Sequence, residues 1–174
     1  IEELEKVIED TKKEIEEAIK ANDGITSDKV TSDDKAAIEE SIKDIDELLA
    51  DTNVSDAQKE ALEEAKKEAQ DLLDKIEEDQ KVLEDANNSI PSVDNDSVTE
   101  DDLDDLAASK DKLEDIINSD NYTEEEKNAA QDALDKIEEL EKVMEKSKIE
   151  GEEAVGANDG ITTDKVTSDD KAAI

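Results

Sequence analysis

The chain contains no Phe, Trp, Cys or His, one Tyr, one Pro, one Met and four Gly in 174 residues. Its 21 basic residues are all Lys, so Arg is missing as well. Each absence removes a chemistry. Without His and Cys there is no imidazole acid–base relay, no thiol nucleophile and no zinc ligation by either residue. Without Arg, Phe and Trp there are no bidentate guanidinium clamps and no stacking platforms. Missing Cys does not assign a compartment, because a secreted helical protein needs none and a cytosolic one tolerates none. No apolar run approaches the roughly 18 residues that cross a bilayer, and no signal-peptide or lipidation motif occurs, so a soluble segment without membrane contact is expected.

What the chain has in excess is negative charge. Its 57 Asp and Glu leave a formal net charge of −36 at pH 7. A surface of that sign repels phosphates and has no basic stripe to release counterions, which excludes a nucleic-acid binder. With 45% charged and 33% hydrophobic residues, the composition approaches that of chains that stay unfolded. Periodicity has to decide whether this one folds.

Self-similarity is plain. Glu16 to Ile38 reads EEAIKANDGITSDKVTSDDKAAI, and Glu152 to Ile174, 136 residues on, reads EEAVGANDGITTDKVTSDDKAAI. At half that offset, 68, Val30-Thr31-Ser32-Asp33-Asp34 meets Val98-Thr99-Glu100-Asp101-Asp102 and then Val166-Thr167-Ser168-Asp169-Asp170. Ile25 meets Val93 and Ile161, Leu48-Leu49 meets Ile116-Ile117, Val54 meets Tyr122, Lys59 meets Lys127, Ala65 meets Ala133, Leu72 meets Leu140 and Ile76 meets Met144. The repeating unit is therefore 68 residues. The sequence divides into the C-terminal part of one repeat with its linker (1–29), two whole units (30–97 and 98–165) and the start of another (166–174). Because it opens and closes inside predicted helices, a longer, further-repeating parent is expected.

Within a unit, Thr31 with Asp34, and Thr99 with Asp102, read as capping boxes that open a first helix over about 33–50. Ile38, Ile42, Ile45, Leu48 and Leu49 lie on one face of it. After a turn at Asp51-Thr52-Asn53, Ser55 with Gln58, matched by Thr123 with Glu126, opens a longer helix. Ala57, Ala61, Ala65, Ala69, Leu72, Ile76 and Leu83 form its stripe, widened by Leu62, Leu73 and Val82. With no Gly or Pro before about residue 87, it should run some 30 residues, roughly 45 Å at 1.5 Å per residue. Its second half outruns the short helix and needs another partner, which the linker and the next unit's short helix could supply. Thr11, Asp79 and Ser147, one repeat position three times, interrupt that half with polar side chains and point to weaker packing there; Gly151 stands where Leu83 does. A three-helix bundle per unit, with the long helix broken near 78, is the alternative. In the linkers, Gly24 suits a left-handed helix end, Pro91 stiffens its segment, and Ile25 with Val30, then Val93 with Val98, act as apolar anchors. The expected fold is all-α: tandem 68-residue units of a short and a long helix in an elongated helical-bundle array.

Candidate sites are few. Asp94-Asn95-Asp96 with Glu100, Asp101 and Asp102 offers oxygens at the spacing Ca²⁺ favours, but Val98 and Thr99 break the EF-hand pattern and the sister linker supplies only Asp28, Asp33 and Asp34. No metal site is assigned. The carboxylate pairs Glu138-Glu139 and Asp104-Asp105 could serve as general acid and base only in a dry cleft, and a solvated helix face accounts for them better. Tyr122 is an aromatic that could anchor a partner. Its counterpart Val54 also precedes a helix cap, so stapling the start of the helix is the favoured role. No catalytic residue, cofactor-binding residue or cofactor is expected, and the chain does not read as an enzyme.

The stretch from Val30 to Glu78, VTSDDKAAIEESIKDIDELLADTNVSDAQKEALEEAKKEAQDLLDKIEE, and its second copy, VTEDDLDDLAASKDKLEDIINSDNYTEEEKNAAQDALDKIEELEKV, resemble the acidic helical repeats of large Gram-positive cell-surface proteins. The likeness is to modules of adhesin-type proteins of gut Firmicutes and, more distantly, to FIVAR and albumin-binding GA-type modules. FIVAR modules carry a Tyr-Thr-x-x-Ser-Trp opening; here Tyr122-Thr123 is followed by Glu126-Lys127. The resemblance implies an extracellular, wall-attached setting in which such repeats act as stalks, and some bind host albumin or immunoglobulin. It brings no functional residue with it. The expected function is a non-catalytic spacer or stalk whose partners are neighbouring repeats. The alternative is a module that captures a host protein such as immunoglobulin or albumin, for which exposed apolar positions recurring in every unit would be the signature; Ala37 and Ala108 are too small to provide it.

Overall fold

A computed structural model describes residues 2–90 and 100–159, and among these residues the chain is all α-helical with no strand. The helices are α1 (Glu2–Lys20), α2 (Lys35–Ala50), α3 (Asp56–Asn88), α4 (Glu100–Asn118) and α5 (Glu124–Asp159). A single 3₁₀ turn, Ser32–Asp34, leads into α2.

The caps form as the sequence predicts. Ser55 N–H donates to Gln58 Oε1 at 3.0 Å and Gln58 N–H returns to Ser55 Oγ at 3.4 Å. At α5 the same exchange runs from Thr123 N–H to Glu126 at 2.8 Å and from Glu126 N–H to Thr123 Oγ1 at 3.3 Å. Two of the donors that each helix start would otherwise leave bare are thereby satisfied. Thr31 N–H donates to Asp34 Oδ2 at 2.9 Å, and this pair closes the 3₁₀ turn instead of capping α2 directly. Gly24 sits at φ +95°, the left-handed conformation that lets the chain leave α1. The pairs Thr99/Asp102 and Val93/Val98, with Pro91, lie outside the residues whose side chains are described.

α3 runs unbroken for 33 residues, about 50 Å, straight through the position where a break was the alternative. Its two halves serve different neighbours. The first half packs on α2, and α1 lies against both. Ile15 of α1 joins Ile45, Val54, Leu62 and Ala65 in one apolar cluster, while Val30 and Ile38 join Ala69, Leu72, Leu73 and Ile76 in the next. The far end of α3 leaves this group and enters another, where Ala86 is fully buried with Leu106, Leu113, Ile116, Tyr122, Ala130, Ala133, Leu134, Ile137 and Leu140. Leu83 and Ile90 pack against the same cluster. Each core is thus closed by three helical segments, α1 with α2 and α3 in the first and the end of α3 with α4 and α5 in the second. That reconciles the two packings open at the sequence level.

The stripe of α3 is rotated from its expected centre. Leu62 and Leu73, expected at its margins, are buried, whereas Ala57 is exposed and Ala61 only partly covered. The small residues that allow close approach are Ala65 and Ala69. The polar positions Thr11 of α1 and Asp79 of α3 are buried, each only 8% exposed.

Candidate functional site

The first linker and the turn between α4 and α5, though far apart in sequence, meet. The turn opens with Ser119 Oγ accepting from Asn121 N–H at 3.1 Å and donating to Asn121 Oδ1 at 3.4 Å, which fixes the amide of Asn121 with its Nδ2 free to reach beyond the loop. Its Nδ2 then donates to two main-chain carbonyls of the first linker, Ser27 at 2.7 Å and Val30 at 3.3 Å. Tyr122, next in the chain, is 8% exposed, and its hydroxyl donates to the main-chain carbonyl of Asp79 in α3 at 3.2 Å. Burial, with the nearby carboxylates of Asp79, Glu126 and Glu78, pushes the phenol up to about 12. Tyr122 therefore acts as the start of the α5 core and as a strut onto α3; Val54, its counterpart, is buried in the same way without the hydrogen bond. Beside them, Lys75 Nζ lies 2.5 Å from Asp79 Oδ1, an ion pair within one helix that carries the buried carboxylate.

Two grooves open beside this packing. One, of about 520 Å³, runs between α1 and α2 and is lined by Glu14, Glu17, Asp44, Glu47 and Asp51 over Ala18, Ala21 and Leu48. Ser41, which also lines it, donates to the carbonyl of Ile38 at 2.9 Å and accepts from Asn22 Nδ2 at 2.8 Å, so its hydroxyl is engaged in holding the turn that follows α1 on α2. The other, of about 200 Å³, lies at the α3–α4 junction and includes Lys75, Asp79, Lys112, Asp115, Asn121 and Tyr122. Neither brings an activated nucleophile beside a base. Among the described residues there is no cluster of three or more carboxylates placed to hold a metal ion.

The carboxylate pairs weighed from sequence fall on solvated faces. Asp104, Asp105, Glu138 and Glu139 are all exposed, and Glu138 faces Lys142 at 3.9 Å, one turn away. Ala37 and Ala108 are exposed, each beside a second exposed alanine, Ala36 and Ala107. The Asp94–Asp96 segment lies outside the described residues, and the side chains of Glu100, Asp101 and Asp102 are not described. Sequence reasoning missed Asn121 and the two buried serines, Ser41 and Ser109, which lie 68 apart on the apolar face of the short helices. That recurrence was the available signal for the serines; Asn53, 68 before Asn121, was the available signal for the bridging amide.

No helix among the described residues is long and apolar enough to cross a membrane. Comparison of the chain with protein families, curated proteins and solved structures finds no match. The class the structure defines is an all-α assembly in which a long helix closes two successive cores.

Proposed function

We propose that this chain is a non-catalytic spacer: part of a tandem array of 68-residue helical units in the stalk of a bacterial cell-surface, adhesin-type protein. The observation that carries the reading is α3. Its first half completes one core and its last turns, through Leu83 and Ala86, with Ile90 just beyond the helix end, complete the next. A joint made by a continuous helix bends far less than a flexible tether, because bending must break helical hydrogen bonds or strip apolar contacts on both sides. Asn121 and Tyr122 add a second fastening beside the helix. Abundant like charge disfavours lateral clumping of such rods.

The extracellular, wall-attached setting rests on the resemblance of the repeats to Gram-positive surface modules. Capture of immunoglobulin or albumin is the less favoured reading, because no large apolar residue is exposed at the same repeat position twice: Ile8 is exposed, but its counterparts Ile76 and Met144 are covered. Val7, Val82 and Ile149 face water, but the residues 68 away from them are Lys75, Glu14 with Glu150, and Lys81. Small-angle scattering of dilute chain tests the spacer. A particle whose maximum dimension well exceeds the length of α3 supports it; a compact, near-spherical particle overturns it. Retention of a serum protein on the immobilised chain that survives raised salt would instead establish capture.

A further inference from the structure

We infer that Asp79 is a built-in break point in α3, which lets the two cores joined by that helix open one at a time. The inference rests on the spacer reading above and specifies how such a stalk yields: hairpin by hairpin, and not as one cooperative body.

Among the described residues α3 is the one helix that enters both cores. From Leu72 its inward stripe steps through Ile76, Asp79, Leu83 and Ala86, spaced by four and three as a continuous apolar seam requires. Leu72 and Ile76 belong to the cluster of Val30 and Ile38, whereas Leu83 and Ala86 pack with Leu106, Leu113 and Tyr122. Asp79 stands where the first cluster ends and the second begins. Its side chain does not turn away to water: the residue is buried, Oδ1 holds Lys75, and Oδ2 is buried with no hydrogen-bond partner. A carboxylate so placed carries a desolvation cost that one ion pair offsets only in part, and an apolar side chain there would be tolerated as well or better. The same position is polar in every long helix of the sequence, as Thr11, Asp79 and Ser147.

The contacts that cross this seam beside the helix are polar too. Tyr122 donates its hydroxyl to the main-chain carbonyl of Asp79, and Asn121 donates its amide to the carbonyls of Ser27 and Val30. Bonds of this kind are replaced by bonds to water once one side opens, so they fix the geometry of the joint while coupling its two cores weakly. In a linear array, stability is a sum of unit terms and interface terms, and a weak interface term uncouples the unfolding of neighbours. When the α2–α3 hairpin opens, α3 therefore unwinds as far as Asp79, and the turns beyond it stay packed on α4 and α5.

The test is urea unfolding of the full chain followed by two signals. Far-UV circular dichroism reads every helix, and the emission of Tyr122, the sole aromatic residue, reads the second core alone. Ile45→Ala empties a fully buried position of the first core. It should shift the early part of the dichroism curve to lower urea and leave the tyrosine midpoint where it stands in the parent chain. Asp79→Leu makes the apolar stripe continuous and should raise both midpoints; in that background, Ile45→Ala should drag the tyrosine midpoint down together with the dichroism. If the leucine variant does not fold, Asp79→Ala removes the polar group without adding volume and is put through the same comparison. A tyrosine midpoint that follows Ile45→Ala in the parent chain overturns the inference, and so does one that stays put when residue 79 is apolar. Either result leaves an elongated spacer standing, whereas a compact particle in scattering removes the spacer and leaves the separate opening of the two cores to be judged by the same curves.

Discussion

The α2–α3 hairpin and the α4–α5 hairpin occupy positions 68 apart and fill comparable cores with different residues. The first sets Val54 with Leu62 at one end of its core; the second sets Tyr122 with Ala130, trading volume from the long helix to the residue before its cap. Further along, the first has Ala69 with Ile42 and Leu73, whereas the second has Ile137 with Lys110 and Glu141, whose charged ends meet at 3.2 Å. The first core also divides into two clusters, with Ser41 and its partner Asn22 at the boundary, while the second is one continuous cluster. Ile90 stands where Asn22 does and Ile137 where Ala69 does, and these larger apolar groups close the gap. The pair of hairpins shows that total volume and the buried face matter more than the identity of any one residue.

The sharpest way to break the comparison is Ile137→Ala, which gives the second hairpin the small residue of the first without its compensating Ile42 and Leu73. The side chain is fully buried, so the expected cost is about 2–5 kcal/mol, read as a lowered denaturant midpoint by circular dichroism. Adding Lys110→Ile and Glu141→Leu should restore a good part of it. If the triple variant is no more stable than Ile137→Ala alone, volume is not being exchanged between these positions.

A second exchange sits at the other end of the core. Ala130→Leu alone should overpack against Tyr122 and cost about 1–3 kcal/mol, and Tyr122→Val alone should cost a comparable amount by opening a void. Together they reproduce the Val54/Leu62 arrangement, so the double variant should be more stable than the sum of the single losses allows. Simple additivity in the unfolding free energies would sink this pairing.

These exchanges show which parts of the fold could be read from sequence. Helix type, the Ser55 and Thr123 caps, the Gly24 turn and the uninterrupted course of α3 follow from local rules, and those rules depend only on neighbouring residues. The burial of Leu62 and Leu73 ahead of Ala57 and Ala61 was less legible, because which edge of a wide apolar stripe faces inward depends on where α1 arrives. Asp79 illustrates the limit more clearly: its carboxylate is buried on an apolar stripe with Lys75 paired to Oδ1 and no hydrogen bond at Oδ2, while Tyr122 reaches only its main-chain carbonyl. Asn121 could not be placed at all, since its partners are more than ninety residues away in sequence. The absence of His, Cys, Arg, Phe and Trp, by contrast, needs no structure to be read.

Tyr122 reports on the junction directly, being the sole aromatic residue. In the native chain its tyrosinate absorbance should appear with a midpoint pushed up to about 12, and in denaturant near the ordinary value of about 10. The fold favours the neutral phenol, so this contribution to stability is complete below pH 10 and is lost progressively as pH rises towards 12. A native midpoint close to that of the unfolded chain would mean the ring is not held between α5 and α3. Tyr122→Phe should keep the packing and lose only the hydrogen bond to Asp79, costing about 1 kcal/mol.

The smallest effect belongs to the ion pair that replaces Ile42 and Leu73. Glu141 accepts a hydrogen bond from Lys110 and raises its ammonium above 10.5, so the pair contributes below that value and is lost as pH climbs past it. Both groups lie at the surface, where screening leaves such pairs weak. Salt acts on this chain in two opposing ways: it relieves the self-repulsion of 36 net negative charges and it weakens the Lys110–Glu141 attraction. Lys110→Ile with Glu141→Leu removes one charge of each sign, so the net charge and the first effect stay while the second disappears. The double variant should therefore gain more thermal stability from added salt than the parent chain does. Parallel curves of melting midpoint against ionic strength would show that the pair contributes nothing and that the second hairpin is held by Ile137 and its apolar neighbours alone.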